Sequence, residues 1–104
     1  MRLIFGSTAV ATAGTRVQLL NTLDDVIWFK AHTRAGNLGR MFLGLSDVAA
    51  TVNSWEFEIP VAARPLAELT IPIPSGGSVK MNLFYADSSV STGEIIDWVA
   101  IVQP

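Results

Sequence analysis

The sequence predicts an all-β chain: a single-domain antiparallel β-sandwich or jelly roll of about eight short strands with an N-terminal arm. Three observations predict it. Short apolar and β-branched runs alternate with Gly, Asn, Asp and Ser turn signals throughout. No stretch holds a convincing helical period. Half of the 104 residues are hydrophobic and 15% are charged, against roughly a quarter charged in a typical soluble domain. That composition carries more apolar surface than one small core hides, so the excess is expected on a partner or in an oligomer.

The elements follow in order. Residues 1–14 (MRLIFGSTAVATAG) contain strand-like runs at 3–5 and 8–12. Arg2, the apolar stretch and Ala9, Ala11 and Ala13 have the outline of a short signal peptide. Gly6, Ser7, Thr8 and Thr12 dilute it and a single Arg makes a weak basic region, so the segment reads as retained, either an arm or the first strands of the body. Residues 15–104 are read as the sandwich. A strand at 16–20 follows the turn signal Gly14-Thr15, and Asp24-Asp25 introduces another at 26–33. In that strand Ile27, Phe29 and Ala31 share one face, and Trp28, Lys30, His32 and Arg34 share the other.

After Gly36-Asn37 a strand is expected at 40–45, and residues 47–52 (DVAATV) have the composition for one helical turn at most. Residues 55–59 alternate Trp55, Phe57 and Ile59 against Glu56 and Glu58. The run 66–73 ends at an edge or bulge, because Pro72 and Pro74 cannot donate to a ladder. Beyond Ser75-Gly76-Gly77 a strand is expected at 80–85, then a polar loop at 87–93. Residues 95–102 are apolar except for Asp97. This reads as a central strand covered on both faces, or with one face against a partner.

Chemistry-bearing residues are scarce. There is no Cys, which removes thiolate metal sites, thiol nucleophiles and disulfides. His32 is the lone candidate base, with no G-x-S-x-G elbow to serve, and reads as a surface or interface residue. Glu56 and Glu58 lie about 7 Å apart on one strand face, a spacing that any alternating strand produces. Asp87, Ser88, Ser89 and Glu94 lack the spacing of a calcium loop and read as hairpin residues. Residues 36–40 (GNLGR) lack the phosphate-loop pattern and read as a turn. No catalytic residue, metal site or cofactor is therefore expected.

Partners can be narrowed in the same way. The net charge is −2, and Arg2, Arg16, Lys30, Arg34, Arg40, Arg64 and Lys80 are dispersed, so nucleic acid is not an expected partner. No run is long and apolar enough for a membrane helix, so no membrane is expected either. Of the tryptophans, Trp28 sits on a polar strand face and is the candidate for exposure. Trp55 and Trp98 have apolar neighbours and are expected in the core.

The segment NLFYADSSVSTGEIIDWVAIV (82–102) runs from a "Y-A-D-S" strand through a glycine-bearing loop to an "I-D-W-V-A-I-V" strand. With "G-T-R-V-Q-L" at 14–19, "N-L-G-R-M-F-L-G-L-S-D-V" at 37–48 and "I-P-I-P-S-G-G-S" at 71–78, it resembles small virion proteins of tailed bacteriophages. The match departs at Met41-Phe42-Leu43, which replaces a more polar strand, and at 55–60, which has no counterpart.

The resemblance implies a β-sandwich or jelly-roll body, no catalysis and assembly in many copies, often as trimers on capsid symmetry axes. The expected role is a capsid cement or decoration protein on the virion surface, touching the major capsid protein and itself. Leu3, Ile4, Phe5, Trp28, Lys30 and Arg34 are its expected contact residues. A head-fibre or tail component is the nearest alternative, and a carbohydrate-binding sandwich with Trp28 and Trp55 as a stacking platform is the alternative of another class.

Overall fold

The computed structural model describes residues 2–34, 37, 39–49, 52–56, 68–71, 73 and 75–103, with the side chains of 46–49, 52–56 and 69 excepted. Its strands are β1 (Arg2–Val10), β2 (Val17–Gln18), β3 (Asp25–Thr33), β4 (Met41–Ala49), β5 (Val52–Glu56), β6 (Glu68–Ile71), β7 (Val79–Lys80), β8 (Tyr85–Ser88) and β9 (Glu94–Val102). The one helical element among the described residues is a 3-10 turn at Met81–Leu83.

Every strand pair is antiparallel. The first sheet has the order β1-β9-β3-β6, with β7 also on β3, and the second has the order β2-β8-β4-β5. The all-β, two-sheet class expected from the sequence is the class that forms. The radius of gyration, 13.1 Å, is that of one compact domain of this length.

The two sheets face each other across one core. From the first sheet come Val10, Val26, Phe29, Ala31, Ile71, Ile96, Trp98, Ala100 and Val102, and from the second come Met41, Leu43 and Ala86. Met81 and Phe84 close the end. Phe29 stacks on Phe84 with ring centroids 4.6 Å apart and planes 8° from parallel, and its other neighbour is Trp98, at 6.3 Å. Full burial of side chains such as Phe29, Phe84 and Leu43 stabilises the fold by about 1.5–3 kcal/mol each. The Trp98 indole N–H donates to Thr8 Oγ1 at 3.3 Å, so its burial leaves no polar group unpaired. Trp98 is thus in the core, as expected, whereas the side chain of Trp55 lies outside the described set.

Several expected boundaries move, each for a local reason. The runs at 3–5 and 8–12 fuse into β1, which pairs with β9 from Arg2–Val102 to Val10–Glu94 without a register shift. Gly6 does not turn the chain; it faces Trp98 across the ladder. Of the two readings of residues 1–14, residues 2–10 take the second: they are a strand of the body and not an arm. Ile4, Thr8 and Val10 on their inward face pack on or into the core.

In β3 the register slips between Val26 and Trp28. The bulge at Ile27 lets Val26 and Phe29 both point inward, so Ile27 does not share the face of Phe29 and Ala31. Residues 47–49, whose composition allowed one helical turn at most, continue β4, and Ala49 pairs with Val52.

The strand expected at 80–85 breaks into β7, the 3-10 turn and β8. The amides of Met81 and Asn82 bond the carbonyls of Asp24 and Thr22 at 2.9 and 3.0 Å, and Phe84 N–H closes on the Met81 carbonyl at 3.2 Å. The turn's three-residue period buries both Met81 and Phe84, which alternation could not do. Gly14 and Gly76 take positive φ, 83° and 80°, at the turns where the sequence placed them.

Candidate functional site

The outward face of β1-β9-β3 gathers five of the six contact residues expected from the sequence, together with His32. Side chains alternate across a pleated sheet, so odd residues of β1 and β9 and even residues of β3 after the bulge lie on this face. The ladder orders them in rows. Leu3 faces Ile101, which faces Trp28. Phe5 faces Val99, which faces Lys30. Ser7 faces Asp97, which faces His32, and Glu68 of β6 completes that row. Arg34 follows β3, and its amide reaches the Ile95 carbonyl at 3.4 Å.

The upper part of the face is apolar and open. Leu3 is 58% exposed and Phe5 76%. Trp28, Val99 and Ile101 are each half-buried. Of the six contact residues expected from the sequence, five lie on the outward face: Leu3, Phe5 and Trp28 in this upper part, Lys30 and Arg34 in the lower. Ile4 is the exception: alternation turns it inward, where it packs against the core.

The lower part is polar and internally paired. Arg34 grips Asp97 with both arms of its guanidinium, Nε to Oδ2 and Nη2 to Oδ1, each at 2.9 Å. Ser7 Oγ donates to Asp97 Oδ1 and accepts from Arg34 Nη2 at 3.2 Å. His32 Nδ1 stands 3.9 Å from Asp97 Oδ2 and 3.2 Å from the Thr33 carbonyl. Lys30 pairs with Glu68 at 3.2 Å.

The hydrogen bond from Arg34 is the main force holding the Asp97 carboxyl below its ordinary value. Partial burial opposes it, and the Ser7 hydroxyl and the charges of Arg34 and His32 add to it. The Arg34 guanidinium is correspondingly held above its own ordinary value by the Asp97 hydrogen bond and charge. A shallow depression of about 250 Å³ lies between Lys30, His32, Glu68, Asp97, Trp98 and Val99. Lys30 and Glu68 pair with each other there, and Asp97 is paired with Arg34.

The other candidates disperse. Asp87 accepts the Gly14 and Ser88 amides at 3.0 and 2.8 Å. Glu94 accepts the Gly39 amide at 3.3 Å and the Thr92 hydroxyl. Both carboxylates therefore tie loops to strands. Asn37 lends its side-chain amide to β9 as a substitute backbone. Its Nδ2 donates to the Ile95 carbonyl at 2.9 Å and its Oδ1 accepts the Ile95 amide at 3.0 Å. Asp24 holds Arg2 at 2.7 Å, and Asp25 holds Lys80 at 2.8 Å. Glu58 and residues 36 and 38 lie outside the described residues, as does the side chain of Glu56.

Val99, Ile101, Ser7 and Asp97 belong to the face and were not singled out as contact residues. For Val99 and Ile101 the signal was the apolar run of β9, interrupted at Asp97, whose outward half has no second layer among the described elements. Comparison with known proteins found no matching family model, no matching curated protein and no matching solved structure.

Proposed function

We propose that the chain is a structural virion protein of a tailed phage: a capsid cement or decoration protein on the capsid surface that bridges and stabilises neighbouring major capsid proteins. The observation that carries this reading is the open apolar face of Leu3, Phe5, Trp28, Val99 and Ile101, rimmed by the Arg34–Asp97 and Lys30–Glu68 pairs. An apolar centre with a polar rim is the anatomy of a protein contact surface.

Strand order supports the reading. The pairs β1·β9, β2·β8, β3·β6 and β4·β5 join the chain from its ends inward, as in one long antiparallel ribbon rolled up on itself. This nesting supports the jelly-roll reading, a plan used by capsid domains and lectins. The "Y-A-D-S" and "I-D-W-V-A-I-V" motifs behind the phage resemblance fall on β8 and β9, and β9 runs through the middle of the open face.

The mechanism is mechanical. Each copy adds contact area across neighbouring subunits, so rupture must break more surface; an interface of standard size is about 1,600 Å². Many copies make a firm clamp even where one contact is weak. The protein also contacts further copies of itself. Catalysis, a cofactor, nucleic acid and a membrane play no part in this role.

Quantitative mass spectrometry of purified particles from the source phage tests it. One copy per major capsid subunit is the expected ratio. A handful of copies per particle would move the chain to a head fibre or tail. Absence from the particle, with tryptophan fluorescence quenched by a glycan, would replace this reading with sugar binding through Trp28.

A further inference from the structure

β1 is the terminal strand of the first sheet, and one of its two backbone edges pairs with β9 along its full length. Among the described residues no strand lies on the other edge. A long free edge is a template for another strand, and proteins guard such edges with prolines, charges, bulges or short length. β1 has none of these guards. It is nine residues long (RLIFGSTAV), contains no proline and keeps an unbroken register. Its one charged residue, Arg2, stands at the end and is held by Asp24 at 2.7 Å. The outward side chains beside the edge include Leu3 and Phe5, the two most open apolar residues of the face.

The opposite edge of the sheet is guarded. β6 has four residues, exposes Glu68 and Thr70, and commits Glu68 to Lys30. Pro72 and Pro74 follow it in the sequence. Head-to-tail growth, β1 of one copy on β6 of the next, therefore meets a short charged edge. The pairing that remains for this sheet is β1 with itself, which closes after two copies.

We propose that β1 is a self-association site: β1 of one copy pairs antiparallel with β1 of a second copy about a two-fold axis normal to the sheet, fusing the two first sheets into one. This symmetry keeps both outward faces on the same side. Leu3 and Phe5 of each copy then meet at the seam and extend the apolar surface of Val99, Ile101 and Trp28 across both molecules. Main-chain bonds hold the pair, and the side chains beside the seam fix its register. The inference rests on the self-association part of the function proposed above and not on the virion location, so the two can fail separately.

Sedimentation equilibrium of the full chain tests the inference, with amide hydrogen exchange read in parallel on β1. The expected mass is twice the 11.2 kDa of one chain. Alternate β1 amides, those on the free edge, are expected to be protected in the pair and to lose that protection on dilution. Phe5→Lys places a charge at the seam on an exposed position and is expected to give a folded single chain with those amides exchanging freely. Leu3→Lys provides the same test should Phe5→Lys fail to fold. A single-chain mass at the highest soluble concentration overturns the proposal. So does a three-chain mass, because a three-fold axis cannot pair a strand with its own copy, and so does a two-chain mass unchanged in both lysine variants. Loss of the pair with normal occupancy on the particle would sink the inference's relevance to assembly while leaving the virion role intact.

Discussion

Gly6 lies directly across the ladder from Trp98, and a methyl group at Gly6 would come to 2.9 Å from Trp98 Cζ2 and 3.2 Å from Cε2. Phe29 packs on the ring and Thr8 holds its indole N–H, and both contacts oppose its retreat. Two effects compete in Gly6→Ala. Removing a glycine from a strand gains about 0.5–1 kcal/mol of backbone entropy. Overpacking a filled core costs about 1–3 kcal/mol. The second wins at this distance, so Gly6→Ala should lower the urea midpoint and disturb Trp98 fluorescence. A variant as stable as the parent would mean that the indole can move aside.

The same pair shows how far the sequence could be read. Alternation and turn residues located most of the strands, since both are local properties. They also placed Trp28, Lys30, His32 and Arg34 on one face, because the period of two survives from Trp28 onward. The runs at 3–5 and 8–12 read as two because a glycine that admits an indole and one that interrupts a strand look alike without the partner strand. The bulge at Ile27 and the turn at Met81–Leu83 escaped for a related reason: each is set by bonds to distant chain, β9 for the first and the carbonyls of Thr22 and Asp24 for the second. The assembly of the outward face was half legible. Its β3 residues followed from alternation, while its union with Leu3, Phe5, Val99 and Ile101 required the order β1-β9-β3.

Asp97 predicts a pH dependence of definite sign. Its folded-state pKa lies below the ordinary value of 3.8, mainly through the Arg34 hydrogen bond. Its contribution is therefore complete above the unfolded value and is lost as pH falls through the folded one. Asp97→Asn should be less stable than the parent at neutral pH, and the difference should close in acid below pH 3.8. The effect is that of a solvent-screened surface pair, so it should shrink in high salt. Denaturation midpoints of both proteins across pH and salt check this. A gap that persists unchanged into strong acid would assign the loss to packing and remove the ion pair from the account.

Ile4 and Phe5 are neighbours with opposite duties, and serine at each separates them. Ile4 faces inward against the core, half-buried, so Ile4→Ser forfeits roughly 1–2 kcal/mol of apolar burial. Phe5 is 76% exposed, so Phe5→Ser should change stability by no more than about 0.5 kcal/mol. On the function proposed above, its cost falls on contacts: weaker self-association and lower occupancy on the capsid. Chemical denaturation beside a particle-binding assay therefore has a crossed pattern to find, with Ile4→Ser losing stability and Phe5→Ser losing occupancy. Equal losses of stability in both would contradict the inward and outward assignment of β1. A stable Phe5→Ser that still occupies the capsid fully would leave the fold as described and remove this face from the contact.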